Sequence, residues 1–192
     1  CTETPFTNTC EDAIPTDSKY GVLCSSTCLS NQFYYSKGVD AGCTSIIRQW
    51  DCGLNEGPYS LNKNCTISGS DHIAVANTLE IVGSNVDMNN LITITAATDK
   101  RHFYLNDANA KLILRYLKLV GGDVSSYGDA GGSILIANGG ELNLYSSIVF
   151  NNKAEYGGGI FPCGASNTNK NAIMNIYNSI IQNNEATGRG GG

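Results

Sequence analysis

Short apolar triplets recur along the chain at a spacing of about thirty residues. Leu112-Ile113-Leu114, Leu142-Asn143-Leu144 and Met174-Asn175-Ile176 are the clearest of them. Leu79-Glu80-Ile81 stands one such interval before Leu112, and Ile46-Ile47 stands one more before that. A second apolar patch follows each anchor, at Leu91 to Ile94, Leu117 to Leu119, Ile148-Val149 and Ile180-Ile181. A third closes each unit, at Ile73 to Val75, Phe103 to Leu105, Ile134 to Ile136 and Ile160-Phe161. Within a patch the side chains alternate, so Leu112 and Leu114 face inward while Arg115 and Lys118 stay wet. Helical repeats are disfavoured, because β-branched residues and glycines crowd these segments and no 3.6-residue stripe persists.

Three short strands per unit, joined by Gly/Asn/Asp corners, predict an all-β, right-handed parallel β-helix (solenoid) of about five turns, about 24 Å tall. Spacers vary while strands hold: the stretch from Leu119 to Gly131 is clearly longer than its counterpart from Val149 to Gly157. Insertions confined to corners are what strands in register require. The segment from Cys163 to Asn171 is accordingly expected to be a surface loop. In register, Asn143 falls on Asn175, Asn151 on Asn183, Asn152 on Asn184, and Tyr145 on Tyr177 at the outer face. Stacked amides at the strand spacing of about 4.8 Å can bond along the axis. Two domains result: residues 1–45, a Cys-rich cap or arm, and residues 46–192, the solenoid.

The segment Asn151-Asn152-Lys153-Ala154-Glu155-Tyr156-Gly157-Gly158-Gly159-Ile160-Phe161 resembles the Asn-rich, Gly-Gly repeats of right-handed parallel β-helix proteins, the pectin-lyase-like superfamily. In style it is similar to chlamydial polymorphic outer membrane proteins and to surface proteins of algae and protists. A second copy, Asn183-Asn184-Glu185-Ala186 to Gly190-Gly191-Gly192, carries one extra residue before its glycines. The resemblance covers about residues 73 to 192. It implies the fold more strongly than any activity, since that superfamily holds lyases, hydrolases, adhesins and structural proteins.

Composition narrows the classes. The 192 residues carry 12 Lys and Arg against 17 Asp and Glu, a net charge of -5, with 22 Gly and 22 Asn. A mildly acidic chain without a basic face is not expected to bind nucleic acid. No run of 18 apolar residues occurs, so no membrane-spanning helix is expected. Eight cysteines, Cys1, Cys10, Cys24, Cys28, Cys43, Cys52, Cys65 and Cys163, suit four disulfides in an oxidising compartment, with the pairing open among 105 connectivities. Parity suggests that Cys163 reaches back to the amino-terminal group. A zinc site is disfavoured, because Cys24 and Cys28 form the only close pair and no His is near. The chain opens on Cys1, as a processed, exported form would. Asn64-Cys65-Thr66 is a glycosylation sequon, and it fits a secreted protein.

Catalytic patterns are weak. Asp71, Asp87, Asp99, Asp107, Asp123 and Asp129 fall in corners without an evident shared strand face, and Glu80 and Glu141 share no column. A sugar-cleaving pair needs two carboxyls at a set separation. His72 and His102 are expected to stack in adjacent turns as ordinary outward residues. Ser25 and Ser26 lack a His/Asp constellation, and Gly188 to Gly192 lack the Lys-Ser/Thr of a phosphate loop. The chain is therefore expected to be no enzyme and to use no cofactor or metal.

In earlier units the glycines lead into an apolar strand, whereas the sequence stops at Gly192. The reading is that the chain is a fragment, or that a neighbouring subunit covers the open end. This favours a non-catalytic extracellular structural protein that stacks head to tail into a fibre, hair or wall. A surface adhesin or glycan-binding module using Tyr145 and Tyr177 is the alternative, and a pectin-lyase-like enzyme ranks third.

Overall fold

The structure is a computed structural model that describes residues 32–35, 42–45, 49–127, 129–163 and 171–190. Strands β1 (Gln32–Tyr35) and β2 (Gly42–Ser45) form an antiparallel pair. The rest is a parallel β-solenoid. Its first coil is β3 (Gly57–Leu61), β4 (Cys65–Ile67) and β5 (Ile73–Val75). The second is β6 (Thr78–Gly83), β7 (Ile92–Ala96) and β8 (Phe103–Leu105). The third is β9 (Lys111–Arg115), β10 (Leu117–Val120) and β11 (Ile134–Ile136). The fourth is β12 (Glu141–Tyr145), β13 (Ile148–Phe150), β14 (Lys153–Tyr156) and β15 (Ile160–Pro162). A partial fifth adds β16 (Ile173–Tyr177), β17 (Ile180–Gln182) and β18 (Glu185–Arg189).

Each side of the prism is one sheet: β3-β6-β9-β12-β16, β4-β7-β10-β13-β17 and β5-β8-β11-β15. Register follows the apolar columns. Leu79, Leu112, Leu142 and Met174 stack, as do Cys65, Ile94, Leu119, Val149 and Ile181, and Ile73, Phe103, Ile134 and Ile160. These columns meet in one core, where Leu79, Ile94, Phe103, Leu112, Leu119, Ile134, Leu142 and Val149 have no exposed surface. A slip of one residue would turn each of these columns to water, so burial fixes the register.

Two expectations change. The strand beneath β6 is β3, with Tyr59 under Ile81, so the first coil is markedly shorter than the expected interval. Ile46 and Ile47 lie outside the described residues. The short first coil has a strand, Gly-Pro-Tyr-Ser-Leu, too polar to match the anchor pattern. In addition, β14 and β18 form a fourth side where only a corner was expected. The extra residue of the second Asn/Gly copy is absorbed there as a register shift between Ala154 and Tyr156.

Corners obey two rules. Left-handed backbone recurs in columns: Tyr116, Ser146 and Asn178 at one corner, and Gly121, Asn151 and Asn183 at the next. Asn tolerates this region better than most residues. The Asn151/Asn183 column therefore answers a backbone need, whereas Asn143/Asn175 and Asn152/Asn184 are true amide pairs, with Nδ2–Oδ1 distances of 3.0 and 2.9 Å. Close approach is the second rule. A Cβ on Gly132 would stand 2.2 Å from the Gly158 carbonyl oxygen, so the glycine cluster exists largely to let coils touch backbone to backbone.

The lower end is closed. Residues 49–55 pass beneath all three sheets: Trp50 N–H donates to Ser60 O (2.9 Å), Cys52 is disulfide-bonded to Cys65, and Asn55 Nδ2 donates to Ala74 O (3.2 Å). Trp50 is buried and stacks on Phe103 at 6.0 Å.

Candidate functional site

Burial ends abruptly at the upper end. Met174 sits in the inward column directly over Leu142, yet it is 40% exposed where Leu142 is 0%. Ile173, Tyr177 and Ile180 beside it are exposed by 48, 41 and 41%. Among the described residues nothing pairs with the outer edges of β16, β17 and β18. That edge offers backbone donors and acceptors together with an apolar surface, a template for another coil.

Tyr145 and Tyr177 do stack, with centroids 5.0 Å apart and planes 9° from parallel. The Arg115 guanidinium lies 3.8 Å from the Tyr145 centroid. Both faces of Tyr145 are thus occupied, by Arg115 below and Tyr177 above, whereas Tyr177 is 41% exposed and has only its lower face covered among the described residues. Packing of a sugar on an aromatic ring requires a face, which Tyr177 offers and Tyr145 does not. Arg115 also contacts Glu80 at 3.3 Å, and Lys111 pairs with Glu141 at 3.0 Å. A hydrogen bond from Asn143, then Lys111, lowers the Glu141 pKa. Both glutamates therefore serve ion pairs along the axis.

The histidines occupy successive coils, His72 N-terminal to Ile73 and His102 to Phe103, as the register requires. Their environments differ sharply from the expected pair of outward residues. His102 is fully buried; its Nε2 lies 3.1 Å from Ile94 O and its Nδ1 3.1 Å from Ser133 Oγ. A carbonyl can only accept, so Nε2 carries the proton and Nδ1 accepts from the serine. Burial lowers its pKa to about 4. His72 packs edge-on against Tyr104 at 5.1 Å, and burial, then Arg101, lowers its pKa.

Winding also gathers acids that the sequence leaves scattered. Asp71, Asp99 and Asp129, with His72, Arg101, Tyr104, Val124 and Leu135, line one cavity of about 280 Å³. The other three candidates, Asp87, Asp107 and Asp123, are outside it and hold local turns: Asp87 Oδ1 accepts from Asn89 N, Asp107 Oδ1 from Asn109 N, and Asp123 Oδ1 from Ser125 N. The spacing of the three cavity aspartates, close to one coil each time, was the available signal. Arg101 was missed. It is only 4% exposed, and its Nη2 is paired with Asp129. Its Nη1 is buried without a hydrogen-bond partner among the described residues. Among the described residues, no group of three or more His, Cys, Asp or Glu is placed to hold a metal ion.

Of the cysteines, Cys52 and Cys65 are joined. Cys1, Cys10, Cys24 and Cys28 lie outside the described residues, Cys43 is placed only as a position in β2, and Cys163 is half-buried just after β15. The amino-terminal reach expected of Cys163, and the loop that follows it, involve residues outside the described set. Asn64 is exposed, and its Oδ1 accepts from Thr93 N–H at 2.8 Å. No described helix is long and apolar enough to cross a membrane. Comparison with protein-family models, curated proteins and solved structures found no match.

Proposed function

We propose that the chain is a non-catalytic structural protein of the cell exterior, a subunit of a fibre, hair or wall in which a second copy continues the coil stack head to tail. The exposed Met174 above the fully buried Leu142 carries this reading. An unpaired coil edge with apolar side chains beside it favours strand addition by a second copy. Among the described residues of the 49–55 segment, Leu54 is 40% exposed and offers an apolar contact to that edge. Contacts that repeat without closing give filaments.

The Cys52–Cys65 disulfide supports an oxidising, extracellular location, and the exposure of Asn64 leaves its sequon accessible for a glycan. Kinship with pectin-lyase-like surface proteins rests on the Asn/Gly-Gly motif alone. Sedimentation velocity tests the assembly. The native chain should give species that grow with concentration, whereas Met174→Lys with Ile180→Lys should hold it as a monomer. A native chain that stays monomeric at every concentration contradicts the proposal.

A further inference from the structure

We propose that the cavity beneath Arg101 binds a neutral sugar, one hexopyranose unit of a glycan. This reading is independent of the assembly edge, and three features define it. Arg101 is more than nine-tenths buried and lines the cavity, its Nη2 held by Asp129 and its Nη1 without an acceptor among the described residues. A buried donor without a partner costs free energy until something accepts from it. Around it stand carboxylates with acceptor capacity to spare. Asp129 uses Oδ1 for Ala130 N–H and Oδ2 for Arg101, and Asp99 uses Oδ1 for Ser126 Oγ. Asp99 Oδ2 and the Asp71 carboxylate accept from no described residue. Tyr104, Val124 and Leu135 complete the wall with apolar surface.

Charge selects among ligand classes. An anion would satisfy Nη1 but would face three aspartates. A cation would satisfy the aspartates but would leave Nη1 orphaned beside a like charge. A hydroxyl both accepts and donates, so adjacent sugar hydroxyls can accept a hydrogen bond from Nη1–H and donate to the carboxylates of Asp71 and Asp99. Burial leaves His72 neutral near pH 7, able to share a hydrogen bond without adding charge. The volume, about 280 Å³, lies just below the usual range of ligand pockets, which limits the occupant to a single ring.

The test uses the whole chain and saturation-transfer NMR with titration calorimetry. Probes are the methyl glycosides of glucose, mannose and galactose, with galacturonate and methylguanidinium as charged comparators. At least one neutral glycoside should bind at millimolar concentration or below and outcompete both charged probes. Asp71→Asn and Asp99→Asn, on the exposed side of the cavity, should each weaken it by about tenfold without altering the circular dichroism spectrum. Arg101→Lys should abolish binding, but its buried pairing can also affect folding, so the aspartate variants are decisive. Absence of transfer from every neutral glycoside, as for a cavity that holds water only, overturns the proposal. So does preference for a charged probe, or binding unchanged in both aspartate variants. Repeating the titration on the Met174→Lys, Ile180→Lys chain separates this result from the fate of the assembly reading.

Discussion

Asn152 and Asn184 occupy the same corner in successive coils, and the amide of Asn152 is bonded on every side. Its Nδ2 donates to Asn184 Oδ1 at 2.9 Å and to Phe150 O at 3.1 Å, and its Oδ1 accepts from Gly122 N–H at 2.8 Å. Asn184 Nδ2 in turn donates to Val149 O at 3.1 Å. Each amide thus satisfies the backbone of the coil below where the chain leaves the second sheet and the regular ladder stops.

Removing the ladder should be costly. Asn152→Ala strands Gly122 N–H and the neighbouring carbonyls in a site that is 1% exposed, and the expected loss is about 3 kcal/mol in denaturant unfolding. Asn152→Asp should cost at least as much near neutral pH. It sets a buried carboxylate against Asn184 Oδ1 and Phe150 O, both acceptors.

Acid should weaken the core through His102. Its folded-state pKa of about 4 lies below the ordinary 6.5, so the unfolded chain binds the proton more readily. The stabilisation is fully present above pH 6.5 and is lost as pH falls toward 4, about 3 kcal/mol over that window. Urea unfolding as a function of pH should show this slope, and His102→Gln should flatten it.

Glycine positions should separate by contact. Gly132→Ala would drive a Cβ to 2.2 Å from Gly158 O and 2.5 Å from Lys153 O, so a loss of more than about 3 kcal/mol is expected. Gly69→Ala meets nothing within 4 Å and should change thermal stability by under about 0.5 kcal/mol.

The lower closure should depend on the Cys52–Cys65 bond. The two cysteines are separated by 13 in sequence, a loop for which chain entropy gives about 3 kcal/mol. Cys52→Ser with Cys65→Ser should lower the unfolding free energy by about that amount. Exposure of Trp50, read by its fluorescence, should rise first if the 49–55 segment detaches before the coils.

Legibility in the sequence followed the physics of each element. Leu112, Leu142 and Met174 were readable because one inward column repeats unbranched-at-Cβ apolar residues at nearly constant spacing. Tyr59 was not, since the closing segment and a short corner let the first coil depart from that spacing. His102 defeated the alternation rule because the chain turns there. Arg101, His102 and Phe103 are all buried in succession, which no two-residue period describes. The cavity was hidden for a related reason. Asp71, Asp99 and Asp129 sit in corners of unequal length, so their convergence depends on winding and not on strand register. The Asn columns were visible, but only geometry separated the amide pairs from the left-handed positions.

Electron microscopy of the purified native chain tests the open edge most directly. The account predicts rods one coil stack wide, their lengths increasing with protein concentration and collapsing to single subunits in the Met174→Lys, Ile180→Lys chain. Uniform single-subunit particles of the native chain at high concentration would contradict it.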